Sequence, residues 1–286
     1  MNIASAIRPP AVAGLFYPAD PTTLKEMLEG FLREFVGNEE GISDPSRSKP
    51  VSEPLPKAII APHAGFIYSG SIAASAYGKL ARAKVNGNAD IRRVILLGPS
   101  HRVLFRGLAV TGAAFFATPL GDIPVDRKAI ARIADLPQVG VLDEAHASEH
   151  SLEVHLPFLR EVLEDFMLVP LVVGETRPKE VAEVLERFWD DEGTLIVVST
   201  DLSHYLTYNQ AKEQDSITAR AIETLDTTAI HSGDACGRNP VNGLLHMAKQ
   251  RRMSIERLDL RNSGDTAGDK ACVVGYGAWA FFESEA

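Results

Sequence analysis

Cysteine is scarce in this chain. Cys236 and Cys272 are the only two in 286 residues, too few for a disulfide framework. That excludes the small disulfide-stapled scaffolds and fits a reducing compartment. Long apolar runs are missing as well: no stretch approaches the roughly 18 residues that a membrane span requires. The opening Met1-Asn2-Ile3-Ala4-Ser5-Ala6-Ile7-Arg8 lacks the apolar core of a signal peptide. Nor is there a surplus of positive charge. The 29 Lys and Arg are outnumbered by 38 Asp and Glu, for a formal net charge of −9. A nucleic-acid footprint needs a basic face, and an anionic membrane attracts one. The expectation is a cytoplasmic protein with no nucleic-acid partner and no membrane partner.

What is present is an ordinary globular composition, 45% hydrophobic, enough for a sizeable core. Residues 9–19 are rich in Pro, Gly and aromatics. Asp20-Pro21 then reads as a helix N-cap followed by proline at the first helical position. Leu24, Met27, Leu28, Phe31, Leu32 and Phe35 follow at helical spacing and predict a core-facing stripe. Residues 37–56, polar with four prolines, predict a surface loop.

From Lys57 onward, apolar runs alternate with helical patterns. Strands are expected at 57–61, 93–97, 108–111, about 120–125, 167–173, 194–199, 255–260 and 273–282. Helices are expected near 69–82, 126–135, 149–164, 178–190, 209–225 and 240–251. Runs such as Val94-Ile95-Leu96-Leu97 and Leu195-Ile196-Val197-Val198 show no polar alternation, as strands covered on both faces should not. The pattern predicts an α/β fold, a three-layer α/β/α domain with a mainly parallel sheet. No break in composition divides it, so residues 1–286 are expected to form one domain. Gly275 and Gly277 inside the last strand suggest a bulge or a close backbone approach.

Three of the apolar runs lead into a histidine: His63 after Ala61-Pro62, His101 after Gly98-Pro99-Ser100, and His204 after Ser199-Thr200-Asp201-Leu202-Ser203. Ligands of open α/β sheets collect outside the carboxyl ends of the strands. One such histidine reads as a plain loop residue. Three in the same strand-then-turn context point to a metal or acid/base site. Asp201 and His204 stand three apart, so a helical turn would let the carboxylate orient the imidazole. A capping Asp201 with a surface His204 is the plainer alternative.

Two further segments carry chemistry. Glu149-His150-Ser151-Leu152-Glu153-Val154-His155 is dense in ionisable groups, with His150 and Glu153 sharing one face if helical. A solvated face explains it equally well. Its spacing does not match the His-Glu-x-x-His zinc motif. Cys236 stands between small residues and Arg238, ahead of Asn239-Pro240. A helix N-terminus and a cation would favour thiolate, the form that binds metal or attacks as a nucleophile. A small buried residue is the plain alternative. Cys272 reads as buried in an apolar strand. Arg238 would either bind an anionic substrate or tie down its loop.

Taken together, Ala61-Pro62-His63-Ala64-Gly65, Gly98-Pro99-Ser100-His101, residues 149–157, residues 199–204 and residues 236–240 resemble the Memo family. Its bacterial and archaeal members are called AmmeMemoRadiSam system protein B. The likeness runs from about Pro10 to the C-terminus, with 37–56 a poor match. The family is similar in fold to class III extradiol dioxygenases, which hold non-haem Fe(II) with two histidines and a glutamate. The resemblance implies His63 and His101 as metal ligands, Cys236 as the third, and His204 as acid/base residue, which the spacing would let Asp201 orient. His150, Glu153 and Arg238 would line the substrate side. A thiolate in place of the carboxylate softens the site, towards Fe(II) or copper, with zinc as a further option. The resemblance also implies association with a radical-SAM protein, besides a small-molecule or peptide ligand. Ring cleavage does not follow from the fold. The chain then reads as an oxygen- or redox-dependent metalloenzyme of unknown substrate. A non-catalytic metal- or peptide-binding protein and a thiol hydrolase using Cys236 remain as alternatives.

Overall fold

Why apolar runs without alternation suit this chain is visible in its sheet. The computed structural model describes residues 6–36, 54–85, 90–163 and 165–283. The expected loop at 37–56 lies mostly outside them; its last residues, 54–56, form no regular element. In chain order the first half holds β1 (Ile7–Arg8), α1 (Pro21–Val36), β2 (Ala58–Ala61), α2 (Phe66–Val85), β3 (Arg93–Pro99), β4 (Leu108–Val110), β5 (Phe115–Phe116), β6 (Ile123–Pro124), α3 (Arg127–Ala131) and β7 (Val139–Val141). Then come α4 (Asp143–Ala147), α5 (His155–Val162), β8 (Met167–Val173), α6 (Pro178–Trp189), β9 (Thr194–Ser199), β10 (His204–Leu206), α7 (Tyr208–Glu223), α8 (Arg238–Gln250), β11 (Ser254–Asn262) and β12 (Val273–Phe282).

The large sheet runs β10-β12-β2-β9-β3-β8-β4-β7, with β11 also on β12. Its centre, β2-β9-β3-β8, is parallel. The flanking pairs β12·β2, β10·β12, β11·β12 and β8·β4 are antiparallel. Along each central strand, successive side chains enter different cores. Ile59, Val94, Leu96, Leu195 and Val197 face α1, α2 and α5. Ile60, Ile95, Leu97, Ile196 and Val198 face α6, α7 and α8. Both faces being covered, every position must be apolar, and the alternation vanishes. This is the expected three-layer α/β/α arrangement.

Asp20 caps α1 as predicted, its Oδ1 accepting from the Thr23 N–H at 2.8 Å. Leu24, Leu28 and Leu32 are buried. The expected helix at 149–164 begins only at His155. The reason is Glu149, whose carboxylate takes the backbone N–H groups of His150 and Ser151 at 3.0 and 2.9 Å. A side chain that satisfies those donors competes with helix formation. The segment at 120–125 contributes only Ile123–Pro124 to a small separate sheet, and the helix at 126–135 shortens to five residues. The short elements β1, β5, β7, α4 and β10 carried no pattern long enough to read. Gly275 does mark a close approach: a Cβ there would stand 1.9 Å from Asp215 Oδ2.

Candidate metal centre

Because β2, β9 and β3 are parallel neighbours, the residues after them emerge side by side. His63 follows β2 and is 1% exposed. Its backbone N–H donates to Asp201 Oδ1 at 2.8 Å, and its ring Nδ1 lies 2.5 Å from Ser199 Oγ. The Ser199 hydroxyl donates its own proton to Ser151 O at 2.7 Å. Ser199 therefore accepts from Nδ1–H, and His63 Nε2 keeps a free lone pair. Burial, reinforced by His101 and His150, holds the His63 ring well below the usual imidazole range, so it is neutral. A neutral imidazole with one nitrogen fixed is the form that ligates metals.

His101, at the mouth of the site, is held the same way. Its Nδ1 is 2.8 Å from Glu149 Oε1. A carboxylate only accepts, so Nδ1 carries the proton and Nε2 is bare. His150 stacks on His101 with ring centroids 4.6 Å apart and an interplanar angle of 24°. Burial pushes the His150 ring down to about 4. Its Nδ1 is buried without a hydrogen bond and lies 3.4 Å from Glu149 Oε1. One donor atom from each of His63, His101 and His150 lies within 4.8 Å of the others. Glu149 sits behind two of them. Burial alone would raise its carboxyl, but the His101 ring and the N–H groups of Ser151 and His101 bring it down to about 2.

Cys236, the third ligand that the resemblance implied, lies beside this group with its Sγ 3.4 Å from His63 Nε2. The close set of donors contains His150 and not Cys236. Gly237 makes the approach possible, since a Cβ there would stand 2.5 Å from Ser199 O. The expected thiolate is corrected by the structure. Burial, with Asp201 adding to it, pushes the thiol up to about 12. Arg238 does not offset this, because its guanidinium pairs with Glu175 at 2.9 Å. Without metal, Cys236 should therefore alkylate slowly at pH 7 and Cys272 first, as read by iodoacetamide labelling and peptide mass mapping. Faster labelling of Cys236 would contradict this protonation state. Cys272 itself is exposed ahead of β12, not inside it.

The remaining site residues are placed as follows. Asp201 is buried, and burial lifts its carboxyl to about 6. Its Oδ1 caps the His63 backbone. The helical turn expected at 201–204 is absent: His204 opens β10, and Tyr205 has φ of 59°. His204 Nδ1 donates to Leu202 O at 2.8 Å, so that carbonyl and not Asp201 orients the ring. His204 is near enough to shift the charge balance of both His63 and Asp201. Glu153 is fully buried and committed to the N-terminal segment, which leaves it no surface for a substrate. Its oxygens take the N–H groups of Ala11 and Val12, the Tyr17 hydroxyl and the Arg8 guanidinium. Arg238 and Cys236 both line a cavity of about 450 Å³ walled by Val103, Leu104 and Phe105. The sequence reading did not single out Ser199 and Glu149 as holders of imidazoles. Glu149 lay in a segment already marked, but a hydrogen bond across 48 residues leaves no spacing signal.

Fold and site together define an α/β protein with a three-histidine group, able to hold a transition metal, at the carboxyl edge of its parallel strands. A family profile described as Memo-like protein matches residues 8–280. The chain belongs to the Memo family. A MEMO1 family protein of Sulfolobus acidocaldarius is 33% identical over 94% of this chain and 97% of its own. One of Aquifex aeolicus is 34% identical over 94% and 97%. Among solved structures, an uncharacterized protein of Escherichia coli K12 shares the fold, with a TM-score of 0.50 at 14% identity, covering 78% of this chain and 98% of that one. No helix among the described residues is long and apolar enough to cross a membrane.

Proposed function

We propose that this protein binds a transition metal through His63, His101 and His150, and that it is a redox metalloenzyme akin to the class III extradiol dioxygenases. The observation that carries the reading is the convergence of three imidazoles, two with Nδ1 protonated and engaged so that Nε2 is left as the unprotonated nitrogen. Imidazole sets suit iron, copper and zinc. Iron(II) or copper fits the redox reading, and zinc a Lewis-acid one. Held by these residues, such an ion would supply Lewis-acid or redox chemistry at the strand edge.

The surrounding residues have separate tasks. His204, with Nδ1 committed to Leu202 O, offers a bare Nε2 to accept or return a proton. Asp201 holds the backbone entering His63 in place. Arg238, whose ion pair with Glu175 is partly exposed, can exchange that partner for an anionic substrate group. Cys236 is a reserve ligand, since a coordinating metal deprotonates a thiol outright. Its raised pKa weighs against the thiol-hydrolase alternative, which needs thiolate in the metal-free protein. Two free cysteines suit a reducing cytoplasm, and family membership makes a radical-SAM protein a partner to seek by co-purification.

Metal analysis after anaerobic purification tests the reading. One equivalent of iron or copper is expected in the wild type. At least tenfold less is expected in His101→Ala and His150→Ala, with most retained in Cys236→Ser. Loss in Cys236→Ser with retention in His150→Ala would reassign the third ligand to sulfur. Metal-free protein that takes up none of the three ions would end the metalloenzyme reading. Oxygen consumption with a panel of catechols then separates catalysis from binding alone.

A further inference from the structure

The geometry points to Glu149 as the positioning residue of the centre, the one group that sets both the tautomer of His101 and the placement of His150. This rests on the metal-binding reading above but concerns the protein's own residues. Glu149 is 2% exposed. Its Oε2 accepts the His101 backbone N–H at 2.6 Å, and its Oε1 accepts the His101 ring Nδ1–H at 2.8 Å. Oε1 also takes the His150 and Ser151 N–H groups. One carboxylate thus fixes the loop after β3 to the loop before α5, and with them the two stacked imidazoles.

The segment carrying Glu149 is itself held from the far side. Arg8 donates to Glu149 O at 2.6 Å and to His146 O at 3.0 Å. The carboxylate is therefore not free to swing into a ligand role without abandoning four hydrogen bonds. Its position behind His101 makes it the acceptor of a charge-assisted bond, which strengthens the imidazole as a donor through Nε2. Ser199 does the corresponding work for His63, but as a neutral hydroxyl. The two rings are thus held by different groups, His101 by a carboxylate and His63 by a neutral hydroxyl.

Nitrogen-15 NMR of histidine-labelled full-length protein reads this directly, with His101→Ala for assignment. In the metal-free wild type, His101 should show the Nδ1–H tautomer. In Glu149→Ala it should move to the Nε2–H-rich mixture of a free imidazole, while His63 keeps its tautomer. Cobalt(II) titration followed by absorbance should show affinity weakened about 10–100-fold in that variant. Glu149→Gln keeps an acceptor oxygen but not the charge. It should retain the tautomer and lose less affinity, and it carries the test if the alanine variant does not fold. An Nε2–H tautomer in the wild type would overturn the assignment. So would unchanged cobalt affinity in either folded variant. If the tautomer moves as expected but the wild type takes up no cobalt, Glu149 still positions the ring and it is the metal-binding reading that falls.

Discussion

Glu153→Ala is expected to cost about 3–5 kcal/mol of stability, the range for removing one partner of a buried ion pair, and to weaken the metal uptake proposed for the three histidines although Glu153 touches none of them. The carboxylate is fully buried and satisfies four donors. Without it the Arg8 guanidinium, 5% exposed, is left as an uncompensated charge, and the N–H groups of Ala11 and Val12 lose their acceptor. The consequence reaches the site by two routes. Arg8 holds the carbonyls of His146 and Glu149, and Phe16, in the same N-terminal segment, packs on His150 with ring centroids 5.0 Å apart. Urea melts of Glu153→Ala, Arg8→Ala and the double variant give the pair's coupling. The double variant should cost less than the two singles together by about 1–3 kcal/mol, because removing both partners leaves no orphaned charge. A Glu153→Ala effect within about 0.5 kcal/mol would remove the segment's structural role.

The second large effect is loss of stability in mild acid. Burial pushes His155 down to about 3 and His146 to about 4, and His150 lies at about 4 as well. In the unfolded chain these rings take up protons near pH 6.5. Between pH 6.5 and 4 the unfolded state therefore binds more protons, and stability falls as pH falls. Each ring contributes about 2 kcal/mol of loss between pH 7 and pH 5. Asp201 and Asp215 act in the opposite sense. Burial lifts both to about 6, so the folded state binds the extra proton and acidification towards pH 4 relieves it. They return about half of the loss. Glu149, held down to about 2, contributes stability that is lost only below its unfolded value. His63, held well below the usual imidazole range by the same burial, adds a loss of the same sign. Urea melts of metal-stripped protein should thus show at least about 3 kcal/mol less stability at pH 5 than at pH 7. Stability that is flat or rises over that interval would contradict the buried neutral imidazoles. A saturating metal ion should add about 2.7 kcal/mol at a hundred times its Kd, and less at pH 5, where protons compete for the same nitrogens.

These two effects show what could be read ahead of the structure. The central strands were legible because burial on both faces forces continuous apolar runs. Met167–Val173, Thr194–Ser199 and Val273–Phe282 carry the boundaries that the sequence pattern predicts. The placing of histidines at strand ends followed from local chemistry: a proline or serine turn closing a run that has no other polar residue. Glu153 was equally visible as a charged residue, but its role was not. A carboxylate facing four donors from residues 8–17 looks, in one dimension, like any member of an acidic helical face. The thiolate expected at Cys236 failed for a related reason. Proximity in sequence to Arg238 suggested a cation, whereas the folded chain turns that guanidinium to Glu175 and tucks the sulfur beside the buried Asp201.

By itself the sequence determined the layered α/β fold, the family, and the side of the sheet on which the chemistry gathers. Each is written in short-range patterns: hydrophobic periodicity, turn residues and the motifs that end the strands. Only the tertiary structure decided which donors meet. The set His63, His101 and His150 draws on the ends of two strands that flank β9 and a loop some fifty residues further on, brought together by Glu149 and Arg8. Such convergence depends on distances through space between segments far apart in the chain, and no local spacing records them. The same folding decided protonation, because an imidazole or thiol takes its charge from the burial and partners it acquires there.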